Sequence, residues 1–270
     1  MAAALSPAVQ AFDAVAQDFD RRYSQWASVQ AQRRAVRREL LRAFPAGSAL
    51  LELGGGTGDD ALFLAARGRR VLLTDASPSM VDCARRKVRA AGADGRVTLE
   101  QADLEHLPLL SSAPFDGAYS NFAALNCVQS LPDVGRGLAP LLRPGAPALF
   151  VVFGPLAIGE ILLHLLRGDP RTAFRRFARG EVPARLGGRA FTVRYPGPRA
   201  IAAQFAPYFR LVRTRGIGIF VPPSAAEPAA SGWPRLMRLL EWLDQAATLP
   251  LALLGDHVLL QFERTTDRVP

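Results

Sequence analysis

The stretch Leu50-Leu51-Glu52-Leu53-Gly54-Gly55-Gly56-Thr57-Gly58-Asp59-Asp60 constrains this chain more than any other. A short apolar run ends in an acid, a glycine-packed turn follows, and two further acids open an Ala/Leu-rich segment. That is the layout of a strand feeding a helix N-terminus, where backbone N–H groups hold nucleotide-type ligands. Glycine suits the turn because a side chain would hold the backbone off the ligand and clash at positive φ. The spacing also discriminates between ligands. A dinucleotide fingerprint needs a glycine three positions after its second. Gly54 and Gly56 fit, but the third position is Asp59, whose carboxylate would repel a pyrophosphate. No Gly-Lys-Ser/Thr follows, which excludes a P-loop.

From this point the chain alternates short apolar runs with helical segments. Strands are expected at Ala49–Leu53, Arg70–Thr74, Val97–Gln101, Phe115–Tyr119, Ala148–Phe153, Phe209–Phe220 and His257–Phe262. Helices are expected at Asp59–Arg67, from Ser77-Pro78 to about Gly92, after a capping Asp133, and at Trp233–Ala247, with Pro222–Ser231 a loop. Strand–helix alternation with short connections means a parallel sheet covered on both faces. Before it, residues 1–44 read as helical, with Phe12, Val15, Phe19, Tyr23 and Trp26 in one apolar stripe. That stripe suits a helix packed on the core and also a lid over a ligand, with Tyr23 its best-placed contact. After Phe153 the rhythm breaks into an apolar helix and then Arg167, Arg171, Arg175, Arg176, Arg179, Arg185, Arg189 and Arg194, read as an inserted cap.

Composition narrows the options. A chain of 270 residues, 49% hydrophobic, can bury a full core as one large domain or a domain with a subdomain. Cys83 and Cys127 make no disulfide scaffold, and the N-terminus lacks a signal-peptide pattern, so a reducing cytoplasm is expected. Ala146–Leu166 approaches membrane-spanning length, but Gly154-Pro155, Glu160 and His164 interrupt it, giving a buried strand and then a helix. The net charge is +9, with Lys87 the only lysine. Such a balance suits nucleic acid or an anionic surface. The arginines are spread over the whole chain, however, which favours a compositional bias. No metal site is expected.

The glycine turn, Asp75 and Asp103 together resemble the class I S-adenosylmethionine-dependent methyltransferases, over roughly residues 10–155. The resemblance implies an α/β, Rossmann-like, seven-stranded, mostly parallel sheet flanked by helices, with an inserted cap and N-terminal helices. The segments would be an N-terminal lid (1–44), the cofactor-binding core (45–154), the cap (155–200) and a C-terminal part completing the sheet (201–270). S-adenosyl-L-methionine would be the cofactor. Glu52 and the backbone of Gly54, Gly55 and Gly56 would take its amino-acid end, Gly55 standing conservatively where Cys or Ser is common. Asp75, with Ala76 beside it, would accept from both ribose hydroxyls. Asp103 and the Leu104 backbone would meet the adenine edge, with Met80 against its face, and Asn121 and Phe122 would border the methionine end. A weaker likeness to a bacterial small-molecule subgroup rests on the run from Ser120 to Cys127, Arg194-Tyr195-Pro196 and Gly255-Asp256-His257.

Methyl transfer from a sulfonium already has an excellent leaving group, so positioning and exclusion of water supply much of the catalysis. A base is required only for a nucleophile that holds a proton. His106 reads as a surface loop residue, His164 as a satisfied core residue and His257 as structural, and Cys127 lacks an activating neighbour. No catalytic residue is assigned. The expected partner is a small-molecule acceptor, lipophilic or anionic, with peripheral membrane contact left open by the arginine-rich cap. An RNA methyltransferase is the alternative, weakened because Ser120-Asn121-Phe122-Ala123 is not the Asn/Asp-Pro-Pro-aromatic clamp of base-amine methylators. A non-catalytic S-adenosylmethionine-binding module is the other.

Overall fold

The computed structural model describes residues 5–107, 114–122, 124–227, 229–246 and 251–266. Residues 1–4 of the expected N-terminal helical segment, Ala123, Pro228 and Ala247 lie outside them. The strands are β1 (Ala49–Leu53), β2 (Arg70–Asp75), β3 (Val97–Gln101), β4 (Gly117–Ser120), β5 (Pro147–Phe153), β6 (Glu181–Leu186), β7 (Arg189–Arg194), β8 (Phe209–Ile217) and β9 (His257–Arg264). Seven of them form one sheet in the order β3-β2-β1-β4-β5-β9-β8. The pairings from β3 to β5 are parallel, and β9 runs antiparallel to both β5 and β8. The result is a seven-stranded, mostly parallel, Rossmann-like sheet.

Side chains along each strand alternate between two cores. Leu51, Leu53 and Leu72 face one, with α5 (Leu131–Leu138) and α8 (Pro198–Phe205). Leu50, Val71 and Leu73 face the other, with α2 (Ala27–Ala43), α3 (Asp59–Ala65) and α4 (Pro78–Ala90). Burial on both faces is why these strands read as unbroken apolar runs. Phe205 shows how tightly the first core closes, its ring lying 5.2 Å from Phe150 and 5.3 Å from Phe262. Its truncation to alanine would cost about 3–5 kcal/mol.

Several expectations change at element level. The N-terminal segment is not one stripe on one helix. It is α1 (Pro7–Val15), a tight turn at Ala16–Asp18, a wide turn at Asp20–Ser24, and α2. The helix gives way where Asp20 and Ser24 bond to Thr57 and Asp59 instead of staying in register with their own helix. The cap of α5 is Ser130, whose hydroxyl accepts the Asp133 N–H; Asp133 itself lies in the first turn. The expected long strand 209–220 stops at Ile217, because Gly218 turns at φ +68° and Asp244 takes the amides of Gly218 and Phe220.

The insertion after β5 holds α6 (Ile158–Leu166), α7 (Pro170–Ala173) and a hairpin of β6 and β7, before α8 returns to α5. The hairpin turns through Gly187 and Gly188, both at positive φ, as a two-residue connection demands. It lands on α1, with the rings of Phe12 and Phe191 6.0 Å apart.

Candidate active site

The glycine turn opens at the carboxyl end of β1. Gly54 and Gly56 sit at φ +65° and +55°, in the left-handed region that side chains disfavour. A Cβ on Gly56 would meet no atom within 4 Å, so its outer side is open. A Cβ on Gly55 would come within 2.5 Å of Leu73 and 2.9 Å of the Glu52 carboxyl. Glycine is therefore a steric requirement at position 55, and the expectation that Cys or Ser could stand there conservatively does not hold for this core. Gly54 lies against Ala124 and Leu104, where the segment after β4 crosses the turn.

Asp75, ending β2, accepts the Gly56 N–H at 2.8 Å through one carboxylate oxygen and the Ser77 N–H at 2.9 Å through the other. The two loops are thus joined through this carboxylate. Burial raises the Asp75 carboxyl, and the two amides oppose the shift. Asp103 follows β3, two residues beyond Gln101, the register partner of Asp75. The Ala102 amide donates to the Asp75 carbonyl, which binds the two loops side by side. The Asp103 side chain is exposed and caps the turn of Leu104–His106 by accepting from Glu105. Leu104 is buried in the first core, and Ala76 is half-buried, its carbonyl accepting from Gln101.

Glu52 lies beneath the turn, 2% exposed, and its Oε2 has no hydrogen-bond partner among the described residues. Burial pushes its carboxyl well above the usual range; the charge of Asp60 adds to this and Arg33 opposes it. The neighbouring Tyr119 hydroxyl makes no well-aligned hydrogen bond among the described residues, but it lies close enough to the Glu52 carboxyl to oppose the rise as well. Asn121 ends β4 by donating to Asp60 at 2.6 Å and accepting from Phe122, which is held at φ +50°. A bulky residue in that conformation is strained, and such strain concentrates at ligand sites.

The N-terminal segment closes over this ground. Asp13 accepts from the Ser77 hydroxyl at 2.7 Å and from the Ser79 amide at 2.9 Å. Asp20 takes Thr57 and Lys87, while Ser24 and Arg33 reach Asp59, with Arg33 at 2.6 Å. Burial alone would raise the Asp59 carboxyl, but Arg33 and Lys87 outweigh it and hold it low. Tyr23 is half-buried in an aromatic run, 5.1 Å from Phe19 and 5.3 Å from Trp26. Met80 is not presented to the cleft. It is 2% exposed, packed with Ala16 and Cys83 under Phe12 and Phe19, because the α1 junction covers it.

Beyond β4 and β5 lies a second group that sequence reasoning missed. Arg176 is buried between Glu160 and Asp256, at 2.7 Å from the latter, and also donates to the carbonyls of Gly154 and Asp256. Gln32 bridges Asp256 (3.1 Å) to His257 (2.9 Å). The His257 ring stacks on Phe153 at 5.2 Å and meets Phe122 edge-on at 5.5 Å. Next to it, a cavity of about 330 Å³ is lined by Leu125, Val128, Phe177, Arg179, Arg194 and Tyr195 among others. The signal for this group was a cluster of polar residues at Asp256-His257 and Arg176, far apart in sequence and joined only by the fold. Of the other candidates, His106 is exposed beside Asp103, His164 lies 3.8 Å from Asp169, and burial pushes the Cys127 thiol up to about 11.

The strand order, the glycine turn and the acids on successive loops define a Rossmann-like methyltransferase fold. Comparison with known proteins agrees: residues 50–145 match the family model described as a methyltransferase domain. Over these residues the chain is similar to S-adenosylmethionine-dependent methyltransferases, a likeness that implies S-adenosylmethionine as the cofactor. The chain is similar to methyltransferase GfsG of Streptomyces halstedii, 33% identical over 132 residues, covering 47% of this chain and 43% of that one. It is also similar to the S-adenosyl-L-methionine-dependent Diels-Alderase iccD of Talaromyces variabilis, 36% identical over 104 residues, 38% of this chain and 35% of that one. The chain thus spans less than half the length of these curated relatives. Among solved structures, the CcbJ methyltransferase of Streptomyces caelestis shares the fold, with a TM-score of 0.61, 17% identity, and coverage of 93% and 96%.

Proposed function

We propose that this protein transfers a methyl group from S-adenosylmethionine to a small organic acceptor by in-line displacement. The observation that carries the reading is the Glu52 carboxyl, buried beside a glycine turn whose outer side is open and with its Oε2 left without a hydrogen-bond partner among the described residues. A buried acid without a partner is costly, and the ammonium of an amino-acid ligand is the complement that relieves it. In this reading Glu52 and the backbone of Gly54, Gly55 and Gly56 hold the amino-acid end. Asp75, already oriented by two amides, accepts from the ribose hydroxyls beside Ala76. Asp103 and the Leu104 amide take the adenine edge, Asn121 and Phe122 border the reacting centre, and Tyr23 covers the entrance. Met80 supports the site from beneath α1. When bound, the cofactor supplies an electrophilic methyl on a thioether leaving group.

For the acceptor, the cavity by Tyr195 sets the chemistry. Its apolar walls and the guanidinium of Arg179 suit a lipophilic molecule with an anionic group, while Arg194 in the same wall is paired with Glu181. Several arginines, such as Arg33, Arg37, Arg176 and Arg215, are held in ion pairs at or below the surface and are not presented to a nucleic-acid backbone. A reducing cytoplasm suits the two free thiols. No helix among the described residues is long and apolar enough to cross a membrane. A peripheral contact fits better. Leu162, Leu165, Leu166, Phe174, Trp233 and Trp242 are exposed on the insertion and on α9 (Pro234–Ala246), beside Arg167, Arg171, Arg235 and Arg238. Arg167 donates to the Ala225 carbonyl, in the loop that precedes α9. Apolar and aromatic groups mixed with arginine suit an anionic leaflet.

Titration calorimetry with S-adenosylmethionine tests the core of this proposal. Binding at one site is expected, and its absence defeats the assignment. The kinship with a Diels-Alderase makes a second assay informative: release of S-adenosylhomocysteine separates methyl transfer from a cofactor held without turnover.

A further inference from the structure

We infer that Nε2 of His257 is a built-in proton acceptor at the acceptor-facing end of the cleft, so that the substrate is a nucleophile carrying an O–H or N–H proton. The inference rests on the methyl-transfer reading and adds a catalytic group to it. The argument runs through one chain of hydrogen bonds. Asp256 is fixed by Arg176, which also spans Glu160, all of them buried. Burial would raise the Asp256 carboxyl, yet His257, Arg176 and Gln32 together hold it low, so it stays an acceptor. The Gln32 amide nitrogen donates to this carboxylate at 3.1 Å. That orientation turns the Gln32 carbonyl oxygen toward Nδ1 of His257, 2.9 Å away. An amide oxygen only accepts, so Nδ1 must carry the hydrogen, and in a neutral ring Nε2 is left with its lone pair.

The surroundings suit that role. Nε2 makes no hydrogen bond among the described residues. Phe153 stacks on one face of the ring and Phe122, at the turn after β4, meets it edge-on. Tyr195 continues the same aromatic wall into the cavity, 5.5 Å from Phe153. Burial lowers the His257 midpoint below the usual imidazole value; Asp256 and Glu160 oppose this and Arg176 adds to it. The ring is neutral at physiological pH and ready to accept.

As the acceptor atom attacks the methyl carbon, its electron pair forms the new bond and the carbon–sulfur pair leaves with the thioether. The acceptor proton passes to Nε2, and the imidazolium then releases it to water. Gln32 and Asp256 are positioning residues. A group in this role contributes roughly 10²–10⁴-fold. The rate should fall as the pH drops through a value below about 6.5, where His257 protonates.

The experiment uses the full chain and 4-hydroxybenzoate, a small phenol with a carboxylate for Arg179 of the cavity. Nitrogen-15 NMR of the histidine rings, assigned with His257→Gln, should show hydrogen on Nδ1 and none on Nε2 at about pH 7.5. Gln32→Ala should let the Nε2–H tautomer appear. With S-adenosylmethionine, His257→Gln should release S-adenosylhomocysteine at least roughly 100-fold more slowly and lose the acid limb of the pH profile. Calorimetric cofactor affinity should be unchanged. A hydrogen on Nε2 in the natural protein overturns the inference, as does a natural rate no faster than the variant's, zero included. Failure of the natural protein to bind S-adenosylmethionine would instead strike the methyltransferase reading, and calorimetry sees that separately.

Discussion

Glu52 is a residue whose worth to the molecule depends on what it meets. Its folded-state pKa lies above the unfolded value, so the buried acid is harmless while protonated and costs stability once ionised. Glu52→Gln should therefore raise the thermal midpoint of the free protein, by roughly 1 kcal/mol or about 2–4 °C. The gap should widen as pH rises through the folded Glu52 value and close in acid. The same change should weaken S-adenosylmethionine on the order of tenfold by calorimetry, because a charged partner for the ammonium is lost. A midpoint below that of the natural protein would show that Glu52 is already satisfied. At this scale, motif reading goes far and stops at contacts. The positions of Glu52, Asp75 and Asp103 were legible because each lies at or just beyond the carboxyl end of a short strand in the strand–helix alternation. The fates of Gly55 and Met80 were not, because they depend on Leu73 and on the α1 junction, which lie elsewhere in the sequence.

Among the elements, α1 is held to α4 by one carboxylate. Asp13 takes both the capping hydroxyl Ser77 and the Ser79 amide at the start of α4, two residues beyond Asp75. Asp13→Ala should cost about 1 kcal/mol in urea unfolding, the usual scale for a lost cap. It should also weaken S-adenosylmethionine in calorimetry, since the loop proposed to take the ribose loses its brace. Unchanged affinity would show that α1 only rests there. The parallel strands were readable because burial on both faces makes them continuous apolar segments. The β6–β7 hairpin was not read, although Gly187-Gly188 between alternating residues is a recognised hairpin signal. The arginine-rich stretch was read only as an inserted cap, with no strands assigned in it.

Over the whole molecule, charge is organised in two ways. Ion pairs knit helices to the sheet, as Glu39 of α2 does with Arg213 and Arg215 of β8. Outside, seven of the eight arginines in residues 155–196, against three acids in that stretch, give a basic surface, and apolar side chains are exposed as well, with Leu166 88% and Trp242 61% exposed. The protein should sediment with vesicles containing phosphatidylglycerol and less with pure phosphatidylcholine, and added salt should weaken the binding. Leu166→Glu with Trp242→Glu should abolish it while leaving the fold intact, since both side chains face solvent. Equal sedimentation with both lipids would remove the membrane from this picture. The long-range ion pairs behind this division were invisible in the sequence, since Arg33 and Asp59, or Arg176 and Asp256, meet only through tertiary packing.

The meeting of the hairpin with α1, through Phe191 on Phe12 and Gly187 against Val15, carries a consequence for re-engineering. The two segments that differ most from a bare cofactor-binding domain share a seam, so they form one interchangeable unit. A chimaera that borrows residues 155–196 from a protein of the same fold should fold well only if the donor's first helix is transplanted with it.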